Sequence, residues 1–339
     1  MVHDQRDEEA TGTNRASTSR RTFLAGTTGV LSVGALGTRA AAEEGSEAGD
    51  AAEEKPQERD EPLLIAHRAF AGLYPENTVS AAEYASHSGE EGWLGQRRPE
   101  WIEIDIAPTA DGDVAVLHDD PLCDLTDFDG GQVFQELSET VFGAEVLRSG
   151  ETVARLEEVM AVIPPDIGVN LDVKAGSEDV AHGSVSDPAD EREEWAWLED
   201  AYAIATDHDN DLLVSTFWEG ALAATREIVP DVPAAFLLWE SLSEGLDVTE
   251  RYDCEAVHPP LTMLLDTPFF ASEEPEYEQW VPAEFEEIDL IAEAHEAGRD
   301  VNVWTTRTWY EAEVLIDAGV DGLIADHDGL MEWGARERR

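Results

Sequence analysis

The sequence predicts an α/β chain whose folded part closes as a (β/α)8 barrel, and three observations carry that prediction. Eight short apolar runs alternate with stretches of helical periodicity, the pattern of a parallel sheet joined by crossover helices. Residues 62–331 form one span of barrel size, short for two ordinary domains and ample for one large core. Charged residues close several of the apolar runs at their C-terminal ends, where barrels of this type carry their sites.

The elements follow in chain order. Ser19-Arg20-Arg21-Thr22-Phe23-Leu24 precedes a weakly apolar stretch from Ala25 to Leu36 and the small residues Ala40-Ala41-Ala42. Paired arginines before a Gly/Ala-rich run resemble a twin-arginine export signal, so residues 1–42 are expected to engage export machinery and deliver an extracellular or cell-surface protein. The run is short and glycine-rich for a stable membrane span, and whether it is cleaved or kept as an anchor stays open. Residues 43–61 are Glu/Ala/Pro-rich without periodicity and read as an acidic disordered linker.

The candidate strands are Leu63–Ala66, Trp101–Ile106, Val169–Val173, Leu212–Phe217, Ala234–Leu238, Ala256–His258, Val301–Trp304 and Gly322–Ala325. Helical spacing marks Thr78–Ser86, Leu156–Val162, Ala221–Ile228, Ile288–Ala297 and Tyr310–Ala318 between them. Val114–Leu117 follows the second strand after too few residues for a parallel crossover. It is expected to form an antiparallel hairpin arm, turned at Asp111-Gly112-Asp113, over the barrel mouth. Residues 332–339 remain as a tail, and no internal repeat is visible.

Composition narrows the classes of function. The net charge is -55, yet 42% of residues are hydrophobic and ten are tryptophan, which argues for a folded chain. Carboxylates spread along the whole length suit a halophilic protein kept soluble in concentrated salt. At about 1 M salt the Debye length is only about 3 Å, so that charge would scarcely repel an anionic substrate. Without a basic patch, nucleic-acid binding is not expected. Only Lys55 and Lys174 are lysines, and a lysine kept in such a composition needs a local reason. Cys123 and Cys254 are too few for a disulfide framework; they either pair or stand as two separate buried thiols.

The chemistry-bearing residues cluster at strand ends. His67-Arg68 closes the first strand, and Pro75-Glu76-Asn77-Thr78 opens the next helix with Asn77 or Thr78 as N-cap. Glu103-Ile104-Asp105 ends the second strand, where alternation sends both carboxylates to one face. Close carboxylates repel unless protons or a cation separate them, and a divalent metal with oxygen ligands is the economical answer. His118-Asp119 ends the hairpin arm, and Asp172-Val173-Lys174 ends the third barrel strand with its two charges on one face. Taken singly, each reads as a core histidine, a cap or a solvated acid. Four charged pairs, each at a strand end, do not.

In order and spacing these segments resemble the glycerophosphodiester phosphodiesterases, and the likeness spans roughly residues 62–331. Weaker echoes lie at Leu156-Glu157-Glu158, Ser215-x-Phe217, His258-Pro259, Val303-Trp304-Thr305 and Gly319-Val320-Asp321-Gly322. The resemblance implies a divalent cation, Ca²⁺ or Mg²⁺, held by Glu103, Asp105 and Asp172. It implies His67 and His118 as general acid and base, with either order open, and Arg68 and Lys174 as phosphate contacts. Trp304 is expected beneath the glycerol end of a small glycerophosphodiester substrate.

Two departures from the family pattern stand out: Ala69 where glycine is usual, and Asp172 where glutamate is usual. Alanine would be strained if position 69 needs positive φ, and a shorter acid would change metal geometry or affinity. Two other readings remain at this point: a related phospholipase C- or D-type barrel acting on intact lipid, and an inactive substrate-binding homologue. The oligomeric state is not legible.

Overall fold

The computed structural model describes residues 61–331 apart from 93, 94, 120, 186, 240 and 273–286. The segment assigned to export, the linker as far as residue 60 and the tail at 332–339 lie outside the described residues.

The eight apolar runs become the barrel strands β1 (Leu63–Ala66), β2 (Trp101–Pro108), β5 (Gly168–Val173), β6 (Leu212–Thr216), β7 (Ala234–Leu237), β8 (Ala256–His258), β9 (Asp300–Thr306) and β10 (Gly322–Ala325). They are parallel and lie in the order β1-β10-β9-β8-β7-β6-β5-β2, and β2 pairs with β1 to close the ring. This is the expected closed barrel, and it follows from strand alternation. Ile102, Ile104 and Ile106 of β2, with Val169, Leu171 and Val173 of β5, join the apolar layer against the helices. The intervening Glu103, Asp105, Asn170 and Asp172 therefore face the barrel interior.

The helices are α1 (Val79–His87), α2 (Leu122–Leu125), α3 (Ser138–Val141), α4 (Leu156–Met160), α5 (Leu198–Thr206), α6 (Glu219–Ile228), α7 (Leu242–Arg251), α8 (Leu290–Glu296) and α9 (Trp309–Ala318). Side-chain caps begin four of them. Thr78, Ser241, Asp289 and Thr308 each accept a hydrogen bond from the backbone N–H three residues on. Gly319, at φ 91, terminates α9 with the left-handed residue that such ends favour.

The hairpin arm is present and larger than two strands. β3 (Val114–Val116) pairs antiparallel with β2, and β4 (Ala154–Arg155) then pairs antiparallel with β3. Gly112 supplies the positive φ of 96° at the turn. Between β3 and β4, Leu117, Leu122, Val141, Val146 and Val153 build an apolar cluster of their own. Neither reading of the cysteines survives, because both thiols are free and Cys123 is exposed on the short helix α2 while Cys254 is buried. Among the described residues no helix is long and apolar enough to cross a membrane.

Deep in the barrel, His258 Nε2 lies 3.1 Å from Asn302 Nδ2. Burial pushes the His258 imidazole down to about 3, so it is a neutral core histidine.

Candidate active site

The parallel register sets the strand ends side by side. Asp105 of β2 pairs with Asp172 of β5, and Leu117 N donates to Asp105 O at 3.1 Å, which holds the end of β3, and with it His118, against the acids. The turn after β1 brings in the next group. Arg68, Ala69 and Phe70 take φ of 48, 58 and 68°, three left-handed residues in a row, and Ala69 is fully buried. This strained backbone aims Arg68 N at Glu103 Oε2, 2.7 Å away. The strain expected of alanine at position 69 is therefore real.

Glu103, Asp105 and Asp172 each present a carboxylate oxygen within 4.8 Å of the other two, and all three are buried. Asp105 is the most heavily partnered. Asn77 Nδ2 donates to its Oδ2 at 2.7 Å, and its backbone N–H donates back to Asn77 Oδ1 at 3.2 Å. Lys174 Nζ lies 2.9 Å from Asp105 Oδ1 and 2.7 Å from Asp172 Oδ2. Arg68 Nε lies 3.4 Å from Asp105 Oδ2, close enough for charge though not aligned for a hydrogen bond, while its Nη1 donates to Glu76 Oε1 at 2.7 Å. Of the two N-cap candidates, Thr78 caps α1, and Asn77, at φ 59, orients the acid.

The electrostatics follow from crowding in a dry site. Burial, reinforced by the charges of Asp105 and Asp172, raises the Glu103 carboxyl well above the usual range. Burial and the charge of Asp105 likewise push Asp172 up to about 6, although Lys174 opposes them. For Asp105 burial acts upward too, but Lys174, Arg68, His118 and the Asn77 hydrogen bond outweigh it and hold the acid ionised. Lys174 stays charged because Asp105, Asp172 and Asp119 overcome its own burial.

Such a triad needs protons or a cation, and its atoms suit a cation. Glu103 Oε1 and Asp172 Oδ1 are buried oxygens without a hydrogen-bond partner. Two oxygens on one Ca²⁺ are separated by at most about 5 Å, twice the metal–oxygen distance, and the triad atoms, within 4.8 Å of one another, fall inside that span. An all-carboxylate donor set belongs to hard divalent ions.

The remaining predicted residues surround the acids. His67 Nδ1 lies 2.6 Å from Asp326 Oδ1. Burial lowers the His67 imidazole against the opposing hydrogen bond to Asp326, which favours a neutral ring. His118 Nδ1 lies 3.1 Å from Asp119 Oδ1. Trp304 is buried, donates its indole N–H to His258 O at 2.8 Å, and stacks on Trp239 at 5.8 Å. It connects to the acids through Phe217, whose ring lies edge-on to Trp304 at 5.8 Å and carries Lys174 Nζ 5.6 Å from its centroid. A cavity of about 190 Å³ opens beside the residues following His118 and Lys174, lined by Asp119, Gln132, Phe134, Ala175, Ser177 and Glu178.

Sequence reading missed Asp326 and the part played by Asn77. Asp326 had one available signal, since it follows the eighth strand just as His67 follows the first.

The fold is a closed (β/α)8 barrel, and its candidate site gathers buried acids with two histidines and two cationic side chains at the C-terminal ends of the strands. Residues 67–330 match the glycerophosphoryl diester phosphodiesterase family. A glycerophosphodiester phosphodiesterase of Bacillus altitudinis is 24% identical over 268 residues, covering 78% of this chain and 94% of its own. Among solved structures, an Oleispira antarctica phosphodiesterase in complex with the product sn-glycerol-3-phosphate superposes with a TM-score of 0.61 at 22% identity, covering 81% of this chain and 97% of its own. The Thermotoga maritima glycerophosphodiester phosphodiesterase gives a TM-score of 0.56 at 19% identity, covering 82% and 99%. The chain belongs to the glycerophosphoryl diester phosphodiesterase family, whose members are phosphoric diester hydrolases.

Proposed function

We propose that the protein hydrolyses small glycerophosphodiesters to glycerol phosphate and an alcohol. In this reading Glu103, Asp105 and Asp172 hold one divalent cation, Ca²⁺ or Mg²⁺, and His67 and His118 form the acid/base pair. The observation that carries it is the buried carboxylate triad, flanked by Arg68 and Lys174 and by both histidines at the C-terminal end of one barrel.

Glu103, Asp105 and Asp172 would hold the divalent cation, which when bound would supply charge stabilisation to the phosphoryl oxygens. Arg68 and Lys174 share that task, and their present carboxylate partners keep them aimed at it. One histidine accepts a proton from the attacking hydroxyl while the other donates a proton to the departing alkoxide. Following the family pattern, the attacking group is the glycerol 2-hydroxyl, which gives a cyclic phosphate that water then opens. Trp304, with Phe217 and Trp239, forms an apolar wall for the glycerol carbons. Asp172 serves in place of the more usual glutamate, because its carboxylate already lies with those of Glu103 and Asp105 in the buried triad.

Two further readings rest on the sequence alone. Residues 1–42 direct twin-arginine export to an extracellular or cell-surface location, and the dispersed carboxylates adapt the protein to concentrated salt.

The test is turnover of glycerophosphocholine with release of glycerol phosphate. His67→Ala and His118→Ala are each expected to lose about two to four orders of magnitude in kcat with little change in thermal midpoint. A variant close to wild type in rate would remove that histidine from the reaction.

A further inference from the structure

We infer that Asp326 is a positioning residue for the reaction, which acts by fixing the tautomer and orientation of His67; the inference rests on the acid/base reading of His67. The fold brings the two together. β1 and β10 pair in register through Ala66 and Ala325, so the next residue on each strand is His67 on one and Asp326 on the other. Asp326 Oδ1 lies 2.6 Å from His67 Nδ1, and the two side chains are only 14–15% exposed.

The carboxylate is itself held in place. Asp326 N donates to Thr306 O, and Gly72 N donates to Asp326 O, each at 3.1 Å, which ties this position to β9 and to the turn after β1. Arg307 Nε approaches the other carboxylate oxygen at 3.3 Å. Burial alone would raise the Asp326 carboxyl. The His67 hydrogen bond, with the charges of Arg307 and Arg68, instead carries it below the ordinary carboxylate range, so it is an ionised acceptor.

An ionised carboxylate at 2.6 Å requires the proton on Nδ1 and leaves Nε2 as the nitrogen that exchanges protons with substrate. In either role the atoms balance in the same way. As base, Nε2 takes the hydroxyl proton while Nδ1 keeps its own, and the imidazolium formed is paired with Asp326. As acid, that imidazolium gives the Nε2 proton to the leaving alkoxide and returns to the neutral Nδ1-protonated ring. Without the carboxylate, neutral imidazole in water prefers its proton on Nε2, which would block the accepting nitrogen. The arrangement follows the general logic of a carboxylate orienting a catalytic imidazole.

The experiment uses the full chain with ¹⁵N-labelled histidine side chains, the His67 signals being assigned by their loss in His67→Ala. In the native protein His67 should be protonated at Nδ1 and bare at Nε2. In Asp326→Ala the ring should move toward the Nε2-protonated form, and Asp326→Asn, which keeps the shape, covers the case in which the alanine variant folds poorly. Glycerophosphocholine turnover should fall in kcat by about 10- to 100-fold in Asp326→Asn, with KM nearly unchanged and partial recovery in Asp326→Glu. Placed in His67→Ala, Asp326→Asn should cost nothing more, because its effect passes through the ring. An unaltered His67 tautomer in Asp326→Ala and Asp326→Asn, or an equal loss with and without His67, would overturn the inference. Native turnover in His67→Ala alone would instead overturn the acid/base reading, and the tautomer spectra would still report on the Asp326 contact.

Discussion

Glu103 and Asp172 show what a dry site does to paired acids. Burial and mutual repulsion raise both carboxyls, Asp172 to about 6, while Asp105 stays ionised against Lys174 and Arg68. Protons on the two raised acids compete with a cation, so metal affinity should fall as pH drops from 7 to 5, and binding should release on the order of one proton near pH 6. Calorimetric titration with Ca²⁺ in two buffers of different ionisation enthalpy measures that release. Affinity independent of pH, with no proton released, would show that these acids are not the ligands. Seven candidate residues were legible as charged groups at strand ends, which the fold gathers at one end of the barrel, while their roles came from the family resemblance: His67, Arg68, Glu103, Asp105, His118, Asp172 and Lys174. Asp326 was not, because its partner lies 259 residues away in sequence and only the closing register of β1 with β10 brings them together. Asn77 was legible as a turn residue, but nothing local tells a cap from a left-handed residue reaching for Asp105.

At the scale of elements, the turn after β1 explains how alanine persists where the family usually has glycine. Glycine at position 69 would relieve about 1–2 kcal/mol of left-handed strain. It would also lose a buried methyl worth about 0.8 kcal/mol and add unfolded-chain freedom of about 0.5–1 kcal/mol. The terms nearly cancel. Helix α9 offers a cleaner test, because Thr308 Oγ1 accepts from Glu311 N at 3.2 Å while Glu311 Oε2 accepts from Thr308 N at 2.7 Å. Thr308→Ala should lower stability by about 1 kcal/mol in denaturant titration, and an unchanged midpoint would show that tertiary packing alone begins the helix. The eight barrel strands were readable as apolar runs, whereas β4 was not, since two residues carry no alternation. The enlarged arm was also hidden. Its second apolar cluster is assembled from short, irregular pieces around Leu122 and Val141 rather than from one periodic segment.

For the whole molecule, a net charge of -55 on one chain is the dominant long-range force. Repulsion among those carboxylates reaches about 10 Å at 0.1 M salt and about 3 Å at 1 M. Thermal midpoint and turnover should therefore rise with salt, and dialysis to about 10 mM should unfold or inactivate the protein. Equal stability at both extremes would give the acidic surface another purpose. Closure of the barrel brings acids from β2 and β5 together with His67 after β1 and His118 after β3, and the account stands on the cation that this convergence accommodates. Its most direct test is removal of all divalent metal in high salt, followed by assay of glycerophosphocholine hydrolysis and of the far-ultraviolet circular dichroism. The fold should persist and turnover should vanish, then return when Ca²⁺ or Mg²⁺ is added back, whereas full turnover by protein with no detectable metal would contradict the account.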